Sequence, residues 1–275
     1  MKTIYTHFKE EPLLKKTLSL PSILEPYRKQ IESSTTPFIR IRTKAGSPPL
    51  YESKFSGFPY IPKGFDHPLD QNGLPMRLLA QYRLDKIPPL PDIPTEGMLQ
   101  FFLSQKDGIF GYDFANMTRP DHFRVIYHPS VTEDLDQLVT DFSYLSFEDD
   151  EEEGFPIDRE YALSFELSEE VIGLSDYRFE QLPISFDEDK EYDIWDAWET
   201  FSNGGHKIGG YAAFAQTDPR DGKEYKDYSV LLLQIDSEEE DGIMWGDTGV
   251  GNFFIRPEDL RRRDFTRVLY TWDCC

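Results

Sequence analysis

Hydrophobic residues in this chain are arranged mainly at strand spacing. The segments Arg77–Tyr82 and Val230–Ile235 are apolar over most of one strand's length, as expected of strands covered on both faces. Phe38–Arg42 alternates apolar with basic residues, which indicates a strand with one face in solvent. The pattern therefore predicts a fold in which strands supply most of the core.

The two apolar segments belong to a longer internal repeat. Its landmarks are a Lys, a Gly three residues later, a Gln 24 residues after that Gly, and a second strand that opens at a Gly and contains two adjacent Phe. They fall at Lys54, Gly57, Gln81 and Gly97–Leu103 in the first copy and at Lys207, Gly210, Gln234 and Gly249–Ile255 in the second. We interpret them as two copies of one unit. The alternative is that two aromatic-rich strand pairs are merely alike.

Two segments outside the repeat have helical spacing. Ser19–Ile31 places Pro21 in a first turn, although Pro26 can delay the start of this helix. Glu188–Asn203 has acidic residues in its first turn, apolar residues three and four apart, and Gly204 as a stop. We predict one helix at each segment.

These elements predict an α+β fold dominated by β structure. The 21 Phe, 15 Tyr and 20 Pro agree with it, because aromatic side chains fill pleated surfaces and Pro interrupts helices. One copy is too small to bury its own sheet, so we expect the two degenerate repeats to pack about a pseudo-twofold axis, with flanking helices. We divide the chain into an N-terminal helix and strand (1–52), a first repeat (53–140), an acidic connecting segment with a helix (141–205) and a second repeat (206–275), all within one globular unit.

Negative charge is concentrated in the connecting segment. The chain has a net charge of −22, and Asp141–Thr200 alone holds 21 acidic against three basic residues. Such a field repels nucleic acid and anionic lipid and attracts a basic partner within the range of salt screening. We expect a basic protein partner, no nucleic acid and no membrane. The run Glu148–Glu153 is most simply a solvated loop. Calcium binding is the alternative, because hard cations bind carboxylates, although the ligand spacing of a calcium loop is absent.

The chain ends favour a cytoplasmic protein. Charges are scattered among the leucines of Met1–Leu18, and no apolar run has the length of a membrane span. Cys274 and Cys275 are the two cysteines, and an adjacent pair cannot staple a disulfide framework. A reactive thiol pair is the alternative to a passive tail.

The most specific motifs lie in the second copy. They are Leu231-Leu-Leu-Gln234-Ile-Asp236, Ile243-Met-Trp245-Gly-Asp247-x-Gly249 and Phe253-Phe254-Ile-Arg256-Pro-Glu-Asp259-Leu. With Ser53-Lys54-x-x-Gly57-x-Pro59 and Leu79-Ala-Gln81, they make the chain resemble the YwqG-like family of bacterial proteins, a family classed as a domain of unknown function. The resemblance covers roughly Lys54–Cys275. It implies a bacterial cytosolic protein with a duplicated, β-roll type fold, and it implies no established activity.

The repeated polar residues are one group of candidate binding residues. Lys54, Gln81, Lys207 and Gln234 could line a cleft between the copies and contact a ligand there. A buried Gln also needs partners for its amide, so the two glutamines could instead bond each other or loop backbone. We favour the structural role for all four residues.

The motifs of the second copy supply the other candidates. Trp245 and Asp247 combine an indole with a carboxylate, which can hold a ligand, although Asp-x-Gly is also ordinary turn chemistry with Trp as a core residue. The first copy has no equivalent of this motif, so the second copy is the better place for a site. Asp236 and Arg256 complete the group, and the charges from Arg256 to Asp259 also suit the start of a helix.

These observations favour a non-catalytic, immunity- or inhibitor-like module that binds a basic protein through its acidic surface. The sequence has no phosphate loop, no nucleophile elbow and no His or Cys pair at metal-ligand spacing, so we expect no cofactor and no metal. The alternative is a hydrolase-type enzyme with a cleft between the repeats, using Asp236, Asp247, Asp259 and Arg256. A polar pocket shared by the copies would favour the enzyme. The sequence leaves the oligomeric state open.

Overall fold

A computed structural model of the chain describes residues 18–105, 108–145, 154–186 and 188–275. Its strands are β1 (Thr36–Ala45), β2 (Lys54–Phe55), β3 (Arg77–Arg83), β4 (Met98–Leu103), β5 (Phe123–His128), β6 (Tyr161–Glu170), β7 (Lys207–Gly209), β8 (Val230–Asp236), β9 (Val250–Ile255) and β10 (Leu269–Asp273). Its α-helices are α1 (Arg28–Ser33), α2 (Glu191–Trp198) and α3 (Pro257–Arg262). Short 3₁₀-helices lie at Ser22–Tyr27, Leu84–Lys86, Leu135–Gln137, Phe179–Gln181, Glu188–Lys190, Pro219–Asp221 and Glu239–Asp241.

All the strands belong to one antiparallel sheet in the order β10-β9-β8-β7-β1-β6-β2-β3-β4-β5. The long strands β1 and β6 pair at its centre, from Thr36 opposite Glu170 to Ala45 opposite Tyr161. The strands β2 to β5 continue on the side of β6, and β7 to β10 continue on the side of β1. The prediction of a β-dominated fold with few helices is confirmed.

The sheet curves until its two ends approach each other around one apolar core. The Tyr82 hydroxyl in β3 donates to the carbonyl oxygen of Leu232 in β8 at 2.9 Å. The rings of Phe123 in β5 and Tyr270 in β10, the end strands, have centroids 5.2 Å apart. The strands β1 and β6 join the two halves edge to edge within this one sheet. A half without them would expose an unpaired strand edge.

The two halves share their local contacts. In each half the Lys of the short strand stands opposite the Gln of the next strand, and that strand has a bulge near its start. The pairs are Lys54 with Gln81 and Lys207 with Gln234, and the bulges lie between Leu78 and Ala80 and between Leu231 and Leu233. A duplication would produce such a correspondence. The duplication, and the segment boundaries that we derived from it, stay predictions.

The predicted helices form, but both are shorter than expected. The 3₁₀ turn that contains Pro26 precedes α1, which begins at Arg28. The second helix ends at Trp198, before Asn203, because the Asn203 side chain turns inward to bond the backbone of Val171 and Gly173. Both helices pack on a second apolar cluster, which comprises Leu24, Ile31, Val171, Ile172, Phe179, Ile194, Trp198 and Tyr211.

Three sequence expectations concern the chain ends and the acidic run. The run Glu148–Glu153 lies outside the described residues, as do residues 1–17. Within the described residues, no helix combines the length and the apolar composition that crossing a membrane requires. Cys274 and Cys275 are free thiols.

Candidate functional site

The two repeated lysines are buried beside acids at opposite ends of β6. The Lys54 Nζ lies 2.6 Å from Glu160 Oε1, one residue before β6 begins, and 3.0 Å from the Pro48 carbonyl oxygen. The Lys207 Nζ lies 2.9 and 3.0 Å from the carboxylate oxygens of Glu170, the last residue of β6. Burial lowers the pKa of Lys54 and of Lys207, although the neighbouring carboxylate opposes this. Both ammonium groups are therefore already neutralised inside the protein.

The two repeated glutamines are buried and bond loop backbone within their own halves. Neither bonds the other, and both bond loop backbone. The Gln81 amide nitrogen donates to the carbonyl oxygens of Leu50 and Glu52. The Gln234 amide nitrogen donates to those of Asn203 and Gly205. Their amide oxygens accept from Tyr60 N and Ala213 N, respectively. Each glutamine thus fixes the loop before and after its own short strand.

The Trp-Gly-Asp motif does not present its indole to solvent. The Trp245 side chain is fully buried in the main core, whereas Asp247 lies exposed on the turn that follows. The turn closes through a bond from Gly249 N to Trp245 O at 2.8 Å. Asp236 accepts from Gly205 N at 2.6 Å and so bonds a neighbouring loop. The indole therefore acts as a core residue.

Two of the acids named for the hydrolase alternative, Asp236 and Asp259, lie at opposite ends of β9. Asp236 ends β8 opposite Val250, where β9 begins, whereas Asp259 lies in α3 after the far end of β9. A strand of this length spans roughly 20 Å. Asp259 is fully buried, and its oxygens lie 2.7 Å from Arg256 and from Arg267. The core between the halves is apolar, and Asp236 and Asp259 do not line a common cleft.

A buried network of arginines and aspartates was missed in the sequence. The Arg220 Nη2 lies 2.7 Å from Asp218 Oδ2 and 3.1 Å from Asp176 Oδ2, and the side chains of Arg220 and Asp176 are fully buried. Burial acts to raise the pKa of Asp176, but Arg178 and Arg220 outweigh burial and lower it. The repeated Asp-x-Arg spacing at 176–178 and 218–220 was the available signal. These contacts satisfy the charges internally.

One face of α2 combines exposed aromatic rings with carboxylates. Tyr192 is 84% exposed and Trp195 is 40% exposed. Along the helix Tyr192, Trp195 and Glu199 follow at spacings of three and four, which places them on one stripe. We call this surface the acidic face, and its members are Glu191, Tyr192, Asp193, Trp195, Asp196 and Glu199, all exposed.

The acidic face is held rigidly and its charges are unbalanced. On the opposite side of α2, Ile194 and Trp198 are buried, and the Trp198 indole donates to the Ile172 carbonyl oxygen at 3.0 Å. Among the described residues, no Lys or Arg pairs with the carboxylates of the face. The sequence located the acidic segment and this helix, but only the packing shows which side chains point outward.

A cavity of about 440 Å³ lies where the two ends of the sheet approach each other. Residues 124–127 of β5 form one wall, and residues 263–266, which follow α3, form the facing wall. Residues 65–68 close a third side. We call this space the seam cavity. None of the residues predicted as candidates lines it.

The described side chains contain no group of three or more His, Cys, Asp or Glu placed to hold a metal ion. The site residues considered above are either paired with other protein groups or exposed to solvent. Two surfaces stand out as places where a second molecule could be held: the acidic face and the seam cavity.

A family model described as Domain of unknown function (DUF1963) matches residues 53–274 of the chain. The match begins one residue before β2 and extends through β10, so it covers every strand except β1. No curated protein matches the chain at a significant level.

Proposed function

We propose that this chain, which belongs to the family of the domain of unknown function DUF1963, is a non-catalytic module that binds a basic protein through the acidic face. The observation that carries the proposal is the exposure of Tyr192 and Trp195 among carboxylates that have no cationic partner in the described part of the chain. An inhibitor or immunity protein acts in this way, by covering a surface of another protein.

The side chains of the acidic face have the properties of an interface. Exposed Tyr and Trp are the residues most often found as binding hot spots. Carboxylates around them steer a basic partner during encounter and reject an acidic one. Because Trp198 and Ile194 anchor the helix, binding does not have to order it. The face is therefore suited to a surface that is rich in Lys and Arg and offers an apolar groove for the rings.

Finer features of the family assignment are proposals of the same kind. The Trp-Gly-Asp and Phe-Phe-Ile-Arg-Pro motifs support a YwqG-like identity, and the matched Lys–Gln contacts of the two halves support an ancient duplication. A cytoplasmic location fits the two free thiols and the intracellular partner that an immunity-like module would need.

Capture from a cell lysate by the immobilised protein tests the proposed function. We expect a basic protein to bind at about 50 mM salt and to be released at about 500 mM, because screening weakens the attraction between exposed charges. The variant Asp196→Asn/Glu199→Gln should lose this protein, and Tyr192→Ala should weaken its capture.

The matched control changes the same charge elsewhere. Glu239 and Glu240 are exposed and acidic but lie after β8, away from α2. The variant Glu239→Gln/Glu240→Gln should retain the captured protein. Equal losses of captured protein in both double variants would mean that only the net charge matters. Failure to capture any basic protein at either salt concentration would refute the proposal.

A further inference from the structure

The strand β5 is one end of the sheet, and its outer edge is open. Ser104 N donates to His122 O at 2.7 Å, in register with the β4–β5 ladder. Hydrogen-bonded pairs alternate along an antiparallel ladder, so every second residue of β5 bonds to β4, beginning with Arg124. Val125 and Tyr127 therefore direct their backbone N–H and C=O groups away from β4. No described residue on the other side bonds to these groups.

The opposite end of the sheet is covered. In β10, Tyr270 N donates to the Met117 carbonyl oxygen at 2.9 Å. The Tyr270 hydroxyl and the Trp272 indole donate to the carbonyl oxygens of Phe110 and Ile109 at 2.6 and 2.8 Å. The segment before β5 thus shields β10, whereas the edge of β5 between Arg124 and Tyr127 faces the seam cavity.

Aromatic side chains line the seam cavity beside this open edge. The rings of Tyr127 and Phe265 have centroids 5.4 Å apart, across the space between the two ends of the sheet. Phe65 is 50% exposed and leans against the His128 ring at a centroid distance of 4.8 Å. An extended chain beside β5 would therefore find apolar surface for one of its side chains next to free backbone groups.

Two arginines of the seam cavity can bind a negative group. Arg124 and Arg263 line it, and neither forms an ion pair with any described carboxylate. The Arg124 Nε is buried without a hydrogen-bond partner. The cavity also has two acids: Asp66 is exposed to solvent, and Asp264 already accepts from the backbone and the hydroxyl of Thr266. A carboxylate has two acceptor oxygens and can therefore accept hydrogen bonds from two guanidinium groups at once.

We propose that β5 accepts an additional strand from another protein, and that this strand is an extended segment bearing acidic side chains. Its backbone bonds to Val125 and Tyr127, one of its carboxylates lies between Arg124 and Arg263, and an apolar side chain packs on Phe65 and Phe265. This site uses a different surface from the acidic face and attracts a segment of the opposite charge. Its test is therefore independent of the proposed function.

A fluorescein-labelled octapeptide of alternating Glu and Val is a suitable probe, with binding to the full chain measured by fluorescence polarisation. An added strand bonds to β5 through every second residue of the peptide. N-methylation of the backbone nitrogens of those residues should therefore weaken binding by about tenfold or more. N-methylation of the remaining backbone nitrogens, which face away from β5, should change binding by less than about threefold. Equal effects of the two sets, or no binding of the unmodified probe, would overturn strand addition.

Protein variants test the carboxylate recognition. We expect Arg263→Gln to weaken binding of the Glu–Val probe by about tenfold, because a charge-assisted bond is lost, and to leave a Gln–Val probe unaffected. Arg261→Gln is the matched control, since Arg261 is exposed in α3, two residues before Arg263, and does not line the cavity. Equal losses in Arg263→Gln and Arg261→Gln would contradict the assignment.

A third variant tests whether the open edge of β5 binds a separate partner or a second copy of this chain. Val125→Pro removes an N–H that points away from β4, a place where an edge strand tolerates Pro, and should abolish probe binding while thermal unfolding stays cooperative. Sedimentation of the unliganded protein completes the test. A dimer that dissociates on this substitution would assign the edge to a second copy and overturn the proposal of a separate acidic partner.

Discussion

Two glutamates of β6 carry the same charge in different surroundings. Glu170 is almost fully buried; it bonds Lys207 and also accepts from Asn203 Nδ2 at 3.1 Å and Tyr211 N at 2.7 Å. Glu166 pairs with Arg42 at 3.2 Å, and both side chains are mostly exposed. A buried ion needs its partner far more than an exposed one does, so the first pair matters to stability and the second hardly does.

Glu170→Gln should lower the free energy of unfolding by roughly 3 kcal/mol, because it leaves the buried Lys207 without a counter-charge. Glu166→Gln, on the same strand, should lower it by less than about 1 kcal/mol. Urea unfolding of the two variants measures both changes. Equal values would mean that the Lys207 pair is no more important than a surface pair.

His128 makes stability depend on pH. Its Nε2 lies 2.9 Å from Gln100 Oε1, and the Gln100 amide nitrogen already donates to Tyr60 O and to Gln81. The imidazole is therefore the donor to Gln100. Burial lowers the pKa of His128 from 6.5 to about 4. Between these two values the unfolded chain binds the proton more readily, so stability rises with pH across this window.

The stabilising contribution of neutral His128 should be complete above pH 6.5 and should disappear as the pH falls to about 4. It amounts to about 3 kcal/mol. We expect the free energy of unfolding of His128→Gln to fall less steeply than that of the wild type over this window, as measured by urea unfolding at several pH values. Parallel curves for the two proteins would show that His128 is not the titrating group.

At the scale of elements, the start of β4 depends on a glycine. Gly97 precedes β4 with φ +95°, and a Cβ there would meet the carbonyl oxygen of His128 and the ring of Tyr127. Gly73 has a similar φ of +77°, but no atom lies within 4 Å of a Cβ built there. Gly97 thus permits both a left-handed backbone conformation and the close approach of β5, whereas Gly73 permits only the left-handed conformation.

Gly73→Ala should destabilise the protein by about 1 kcal/mol, the cost of a left-handed conformation for Ala. Gly97→Ala should cost at least about 2 kcal/mol more, because the β4–β5 pair must also shift to relieve the overlap. Thermal unfolding of both variants gives the comparison. A Gly97→Ala variant as stable as Gly73→Ala would show that the end strand yields without cost.

At the scale of the whole molecule, opposite charges are placed on different parts of the fold. The acidic face lies on α2, which packs against residues that follow β6 at the centre of the sheet. The arginines of the seam cavity lie on β5 and after α3 at the ends of the sheet. A molecule with a net charge of −22 can therefore present a local site for an acidic segment, because salt screens the distant charges.

The sequence predicted the local parts of this structure well. Residue spacing located the strands around Gln81 and Gln234 and the helix that contains Trp198, since side-chain periodicity and turn residues act over a few positions. It also indicated that Trp245 and Asp247 suit a turn beside the core. The family match over residues 53–274 agrees with the extent of the resemblance that those motifs carried.

Only the tertiary structure decided how these parts meet. The pairing of β1 with β6 joins residues more than 100 positions apart, and it makes one curved sheet out of the two predicted units. The same curvature brings Tyr127 of β5 and Phe265 after α3 together and creates the seam cavity, while packing of Trp198 turns Tyr192 outward. Sequence periodicity reports which side of an element is apolar. Which distant element covers that side depends on the balance of packing over the whole chain, and therefore no local pattern encodes it.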